Sequence, residues 1–394
     1  MNHKLLLCIV LILLTVFIGC KAPMGEVEPS YDRPLPPGQN ALRKITNPME
    51  IPDFSLACLD TTDLRATIDH SLNYLRKPSS RLFFPSGEIT HGRAENSLLA
   101  FAELLDSGLT GRQLNQAIRE KFDVYMSIGC DDRGKVLFTG YYTPILEGSL
   151  IPSNTYQYPL YGMPDDLVKG RNGEILGQRD ADGQIHQYPP RAIIESTNML
   201  KGKELVWLSD PFEAYIAHVQ GSAKIRLPNG DLTAVGYAAN NGHEYRSIAD
   251  ALVRDGKIAA DKISLASMIN FFRKHKELVE TYIRRNPRFV FFQKEDGPPL
   301  GCLNEPVTAY RSIATDKSIF PRGCLTFIST TLPQEVNGRI IKQLYSGFAL
   351  DQDAGGAIRA PGRCDVYMGR GETAGKLAGQ TYQEGRLYYL FLKE

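Results

Sequence analysis

Hydrophobic positions recur at two different spacings along this chain, and the change comes near residue 124. Before it the spacing is helical. In TTDLRATIDHSLNYLRK, Leu64, Ile68, Leu72 and Leu75 share one face behind a Thr-Thr-Asp start, which predicts an amphipathic helix. AENSLLAFAELLDS and TGRQLNQAIREKF predict two more helices. Beyond it VLFTGYYTP is β-branched and aromatic, and roughly the next hundred residues are short strand candidates separated by NGE, DADGQ, PNGD and NNGH turns. SLASMINFFRKHKELVETYIRRNP predicts one long helix, with Leu265, Met268, Ile269, Phe272, Val279 and Ile283 apolar and Asn286-Pro287 as its stop. After it RFVFF, VTAYR, CLTFIST, CDVYMG and GRLYYLFLKE predict strands. No internal repeat interrupts the order. Helices and strands at both ends of a β-rich middle are what an inserted domain produces.

The N-terminus changes the picture. MNHKLLLCIVLILLTVFIGC carries His3 and Lys4, an apolar run from Leu5 to Ile18, then Gly19-Cys20. The run is short for a membrane span and has the shape of a signal-peptide core over 1–19. FIGC resembles a bacterial lipobox, with Phe17 in place of the usual Leu. Cys20 would then carry lipid and anchor the chain to a membrane, and Lys21, rather than Asp, is similar to outer-membrane sorting. Residues 20–50 contain EPSYDRPLPPGQN, a Pro-rich tether.

The 394 residues, 43% hydrophobic, suffice for one large core or two moderate ones. The 45 basic and 44 acidic residues leave a net charge of +1 without long runs of one sign, which argues against a nucleic-acid partner. Setting aside Cys8 and Cys20, five cysteines remain: Cys58, Cys130, Cys302, Cys324 and Cys364. No CxxC pair suggests zinc, and an odd number allows at most two disulfides with a thiol over, or buried unpaired thiols. His186, His218 and His243 have no ligand spacing, so neither a metal nor another cofactor is expected.

The candidate chemistry lies near the C-terminus. DQDAGGAIRAPGRCDVYMG sets Asp353 and Asp365 twelve residues apart in apolar, Gly-rich surroundings, and Asp316 precedes them in ATDKSIFPRG. Asp316 suits a turn cap, and Asp353 suits acceptance of backbone N–H bonds across Gly355-Gly356. Asp365 differs. On a CDVYMG strand, Cys364 and Val366 face one way and Asp365 and Tyr367 the other, so the acid projects beside an aromatic ring. Upstream, FTGYYTP offers Thr139, Tyr141 and Tyr142, where rings serve a core or stack on a ligand. Gln220 and Ser222 of VQGSA offer amide and hydroxyl hydrogen-bonding groups, and Tyr237 and Asn241 of GYAANNGHEY read similarly. His243 reads as a structural histidine.

AYRSIATDKSIFPRG, DAGGAIRAPGRCDVYMG and GRLYYLF resemble the three-aspartate domain. FTGYYTPILEGS, YPLYGMP, HVQGSAKIRL and VGYAANNGHEYRSI resemble the membrane-bound lytic murein transglycosylase A family, and the resemblance covers about residues 95 to 394. It implies a mainly β fold with helices. A double-psi β-barrel domain, from 51–142 plus 291–394, would carry an inserted smaller β-domain over 143–290, with a glycan groove between them. It further implies a periplasmic enzyme on peptidoglycan glycan strands. The muramyl 6-hydroxyl would close on its own C1 to leave a 1,6-anhydro end, so one acid, Asp365, suffices where hydrolases use two. Asp353 would support it, and Asp316 would be a supporting or a structural acid. Competing classes are a non-catalytic glycan binder that loosens the wall and a water-using muramidase. An aspartic protease needs paired Asp-Thr/Ser-Gly loops, and this chain holds one imperfect copy.

Overall fold

The computed structural model describes residues 29–171 and 173–394. Cys20 and the apolar run before it lie outside the described residues. Residues Tyr31–Glu394 form one compact unit.

The unit is mostly β, as the sequence led one to expect. Six strands close a barrel, and they are numbered along the chain: β1 (Val136–Thr143), β2 (Ser312–Ala314), β3 (Leu325–Val336), β4 (Arg339–Asp353), β5 (Arg363–Arg370) and β6 (Tyr382–Leu392). The ring runs β6-β3-β4-β2-β5-β1 and returns to β6 through the pairing of Tyr382–Gly385 with Val136–Thr139. β2 with β4 and β5 with β1 are parallel; the other four pairings are antiparallel. Closure pairs these six strands with one another, and Phe122–Ser127 with Leu42–Lys44 extends the same sheet from the far end of β6.

The N-terminal helices cover the barrel. In Leu64–Arg76, Leu64, Ile68, Leu72 and Leu75 are all buried, as their spacing requires. The polar residues on the same face are buried too, because Gln352 of β4 donates to the Thr67 carbonyl and the Ser71 hydroxyl, both at 3.0 Å. This helix therefore holds the strand end that carries the Asp353 loop.

The chain leaves β1 at Thr143 and passes through Pro144 into a second, six-stranded sheet. Its order is Val290–Glu295, Leu232–Asn240, Ala223–Arg226, Ile145–Ser149, Glu204–Leu208 and Tyr158–Tyr161. A small third sheet joins Leu167–Lys169, Ile175–Arg179 and Ile185–His186. The sequence reading of this middle as strands and turns missed its helices, chiefly Pro211–Gln220, which Asp210 caps by accepting from the Phe212 and Glu213 amides.

Three further expectations need correction. The long helix over 264–287 is broken into Leu265–Lys274, a 3-10 turn at Lys276–Leu278 and Val279–Ile283. The bend brings Val279, Tyr282 and Ile283 onto the same apolar cluster as Phe272, Phe212 and Tyr215. VTAYR is a turn, since the Arg311 and Ser312 amides both bond the Thr308 carbonyl, and the strand begins only at Ser312. Arg311 is buried there, donating to the Asp60, Thr62 and Phe348 carbonyls. The sequence reading also passed over β4, whose RIIKQLYSGFALDQD does not alternate strictly, and the helix Gly371–Gln380, whose three glycines weaken a helical pattern.

Candidate active site

Four side chains come into one row across neighbouring barrel strands. Ala314 on β2 pairs with Asp353 of β4 on one side and with Asp365 of β5 on the other. Asp365 pairs with Thr139 on β1, and Thr139 pairs with Tyr382 on β6. Directly opposed residues project to the same face, so Asp353, Asp365, Thr139 and Tyr382 share the face away from buried Cys364 and Val366. The two acids' backbones are two ladder spacings apart, about 10 Å. Ala314 between them has no bulk to separate them.

A β-bulge sets this arrangement. β4 pairs Asp351 with Ile313 but Asp353 with Ala314, so one residue, Gln352, is skipped. Residues 351 and 353 would otherwise face the same way, and the extra residue turns them apart. Asp351 goes to the core, where it pairs with Lys317 and accepts from the Thr315 and Tyr389 hydroxyls at 2.8 Å. Asp353 goes to the row.

The three candidate acids differ in what their oxygens do. Asp316 is committed: one oxygen accepts from the Ser318 amide at 3.1 Å and hydroxyl at 2.6 Å, the other from the Ala360 amide at 3.0 Å. Asp353 also has both oxygens engaged, accepting from the Cys302 amide at 2.9 Å, the Ala354 amide at 2.8 Å and the Tyr141 hydroxyl at 2.8 Å. Burial still raises its pKa, against the pull of those donors and Lys317. Asp365 is different, because its buried Oδ1 has no hydrogen-bond partner among the described residues. Burial pushes its pKa up to about 7; Arg363 and the Thr139 hydroxyl oppose the shift, and the Asp353 charge adds to it. Such a carboxyl is part protonated at neutral pH, which suits a proton donor and acceptor.

Rings and hydroxyls continue the site along β1 and β5. The Tyr141 and Tyr367 rings lie 5.1 Å apart between centroids, and Thr143 Oγ1 and the Tyr367 hydroxyl are 2.9 Å apart. Thr143 also approaches Ser222 Oγ at 3.4 Å, and Gln220 Oε1 accepts from the Tyr142 amide at 3.0 Å. Gln220 and Ser222 thus sit where the helix Pro211–Gln220 meets β1, beside the row. Tyr142 itself is buried. Tyr237 presents an exposed ring whose hydroxyl accepts from Asn240.

Asn241 lies elsewhere. Its amide is buried, donating to the Pro189 and Pro287 carbonyls at 2.9 Å each and accepting from the Phe289 amide at 2.8 Å. With both N–H groups spent on backbone, it braces a loop and does not face a ligand. His243 likewise bonds the Tyr188 carbonyl at 2.7 Å. The five cysteines are free thiols; four are buried and Cys302 is exposed.

Sequence reasoning missed two members of this neighbourhood. The Lys317–Asp351 pair left a faint signal, since DQD and TDK each place a second charged residue close to an acid already singled out. Tyr382 left none. Its exposed ring joins the row only through cross-strand pairing.

The row draws on two segments that match known families separately. The model described as the MltA specific insert domain matches residues 137–293, which include Thr139 and Tyr141, and that of the 3D domain matches residues 311–391, which include both acids. The chain is 30% identical over 358 residues to the membrane-bound lytic murein transglycosylase A of Escherichia coli strain K12, across 88% of this chain and 87% of that protein. It is 30% identical over 273 residues to the protein of the same name from Vibrio cholerae, covering 67% and 68% respectively. The crystal structure of a membrane-bound lytic murein transglycosylase from Agrobacterium tumefaciens matches with a TM-score of 0.75 at 26% identity, over 89% of this chain and 98% of that one. Escherichia coli MltA with bound chitohexaose matches with a TM-score of 0.65 at 28% identity, over 84% and 90%. Sequence and architecture agree over nearly the whole described length, and the chain belongs to the membrane-bound lytic murein transglycosylase A family.

Proposed function

We propose that this chain cleaves the β-1,4 bond between N-acetylmuramic acid and N-acetylglucosamine in peptidoglycan without water, leaving 1,6-anhydro-muramyl ends. Its relatives carry the name of that activity, and one of them is known with a bound chitohexaose. The reaction rests on Asp365, whose buried Oδ1 is held without a partner beside a second acid whose oxygens are both engaged. Protonated, Asp365 gives its proton to the leaving glycosidic oxygen. Ionised, it takes the proton of the muramyl 6-hydroxyl as that oxygen bonds to C1. The nucleophile belongs to the substrate, so no second carboxylate is required to activate water or attack the sugar. Asp353 has no free oxygen for that work; it favours the protonated form of Asp365 by its charge. Thr139, Tyr141, Gln220, Ser222 and Tyr237 would line the glycan groove between the barrel domain and the inserted domain; the inserted sheet includes the strand Val290–Glu295, so the expected boundary at 290 moves to the end of that strand.

Asp365→Asn keeps the size of the side chain but cannot carry a proton, so turnover of purified sacculi should fall about 100-fold or more. The folded state, followed by circular dichroism, should persist. Mass spectrometry of wild-type products separates the rival chemistries. Reducing ends one water lighter than hydrolysis products support the proposal, ends carrying that water identify a muramidase, and no products at all leave a glycan binder.

The relatives are membrane-bound by name, and among the described residues no helix is long and apolar enough to cross a membrane. A lipid on Cys20 supplies the attachment at the periplasmic side of the outer membrane; the expected tether over 20–50 is shorter than read from sequence, because Tyr31 bonds Glu384 and Leu42–Lys44 pairs as a strand with Tyr125–Ser127 within the compact unit. Radioactive palmitate should label wild type and not Cys20→Ala; equal labelling of both would remove the anchor from Cys20.

A further inference from the structure

A guanidinium without a carboxylate stands beside the loop that follows Asp353. Arg288 comes from the segment just before Val290–Glu295, and its Nη1 donates to the His243 carbonyl at 3.1 Å. Its side chain presses on Gly356, where an added Cβ would lie 2.9 Å from Nε and 3.2 Å from Cζ. The second glycine of DAGG thus leaves room for the close passage of this cation. Three residues on, Arg359 has an exposed side chain whose acidic partner is Asp316 at 3.8 Å, beyond hydrogen-bond range. Asp316 is already engaged by Ser318 and Ala360. Among the described residues Arg288 has no acidic partner at all.

This pairing of like charges is costly as it stands. Burial and then the neighbouring Arg359 charge both disfavour the protonated Arg288, while Tyr237 lies close enough to act on it in the other direction. A carboxylate between the two guanidinium groups would relieve the repulsion and fill the free donors of a fork suited to two carboxylate oxygens. The place is also close to the chemistry. Gly356 is three residues from Asp353, at most about 11 Å of extended chain.

We propose that Arg288 and Arg359 bind a carboxylate of the murein substrate and thereby favour murein over a neutral glycan. The proposal rests on the glycan-cleaving assignment above. Murein has two sources for this chemistry: the lactyl group of muramic acid once its peptide is removed, and the acidic groups of the stem peptide.

Wild type, Arg288→Gln, Arg359→Gln and Arg288→Lys are compared on three probes: peptide-bearing glycan strands, strands stripped of peptide by an amidase, and chitohexaose. Arg288→Gln should raise KM about tenfold or more on the murein strands that carry the recognised carboxylate, the scale of a charge-assisted hydrogen bond. Its Kd for chitohexaose should stay within about twofold, a small fraction of that loss. Arg288→Lys should recover part of the loss, and the salt dependence of wild-type binding should be reduced in both Gln variants. A loss confined to stripped strands assigns the lactyl carboxylate, which the peptide masks as an amide on intact strands; a loss confined to intact strands assigns the stem. Equal weakening on all three probes, or on none, overturns the proposal. Failure of the glycan-cleaving assignment reads differently, as wild type that releases no anhydro ends.

Discussion

Asp365 carries a second consequence that is independent of turnover. Its folded pKa of about 7 stands above the ordinary value of 3.8 because burial disfavours the ionised form. Between those limits the unfolded chain has released a proton that the folded chain retains, so stability falls as pH rises through the window and levels off above it. Asp365→Asn has no such slope. It should match wild type near pH 4 and exceed it at pH 8, by an amount on the order of a few kcal/mol. Thermal unfolding across pH 4 to 8 measures this, and parallel curves for the two proteins would show that Asp365 ionises normally. Activity should follow the same ionisation and decline above about pH 7, because the carboxylate has no proton to give.

Among the elements, β1 works closest to the site, and its neighbour on one face is the helix Gly371–Gln380. Gly140 makes that contact possible: a Cβ there would lie 2.8 Å from Ala378 Cα and 3.0 Å from Thr381 Oγ1. Backbone cannot step aside as a flexible side chain does. Gly140→Ala should cost about 1–3 kcal/mol, the usual penalty of overpacking, and should lower turnover by moving Thr139 and Tyr141. Thermal melts with an unchanged midpoint would mean that the helix is free to shift. The Gln352 bulge is the other decisive element feature. It was not legible in LDQDAGG, because a strand read at period two sends Asp351 and Asp353 to one face.

At the scale of the whole molecule, the inserted sheet is tied to the barrel near Pro144 by three contacts. The Lys224 amide bonds the Pro144 carbonyl at 2.8 Å, Gln220 Oε1 accepts from the Tyr142 amide at 3.0 Å, and Ser222 reaches Thr143 at 3.4 Å. Gln220→Ala leaves the Tyr142 amide without that acceptor, so stability should drop by about 0.5–1.5 kcal/mol. Chitohexaose binding, measured by calorimetry, should weaken by roughly 1–3 kcal/mol if the groove depends on this tie. Unchanged affinity in a folded variant would place Gln220 in packing alone.

Local periodicity was enough to read the amphipathic helix Leu64–Arg76, the change to β structure near residue 124, the strands CLTFIST, CDVYMG and GRLYYLFLKE, and the outward aim of Asp365. Each depends on neighbours within a few residues, where side-chain direction repeats at 3.6 or at 2. The quoted motifs carried the family for the same reason, being short and contiguous. The rest depends on residues far apart in the chain. The bond of Tyr141 to Asp353 spans 212 positions, Arg288 meets Gly356 across the two β-regions, and Tyr382 enters the row by pairing with Thr139. Asn241 looked like a sugar-binding amide until its carbonyl partners arrived from Pro189 and Pro287. Polar side chains on a loop or strand look alike in sequence, and whether one meets a ligand or a backbone is settled by what the fold packs against it.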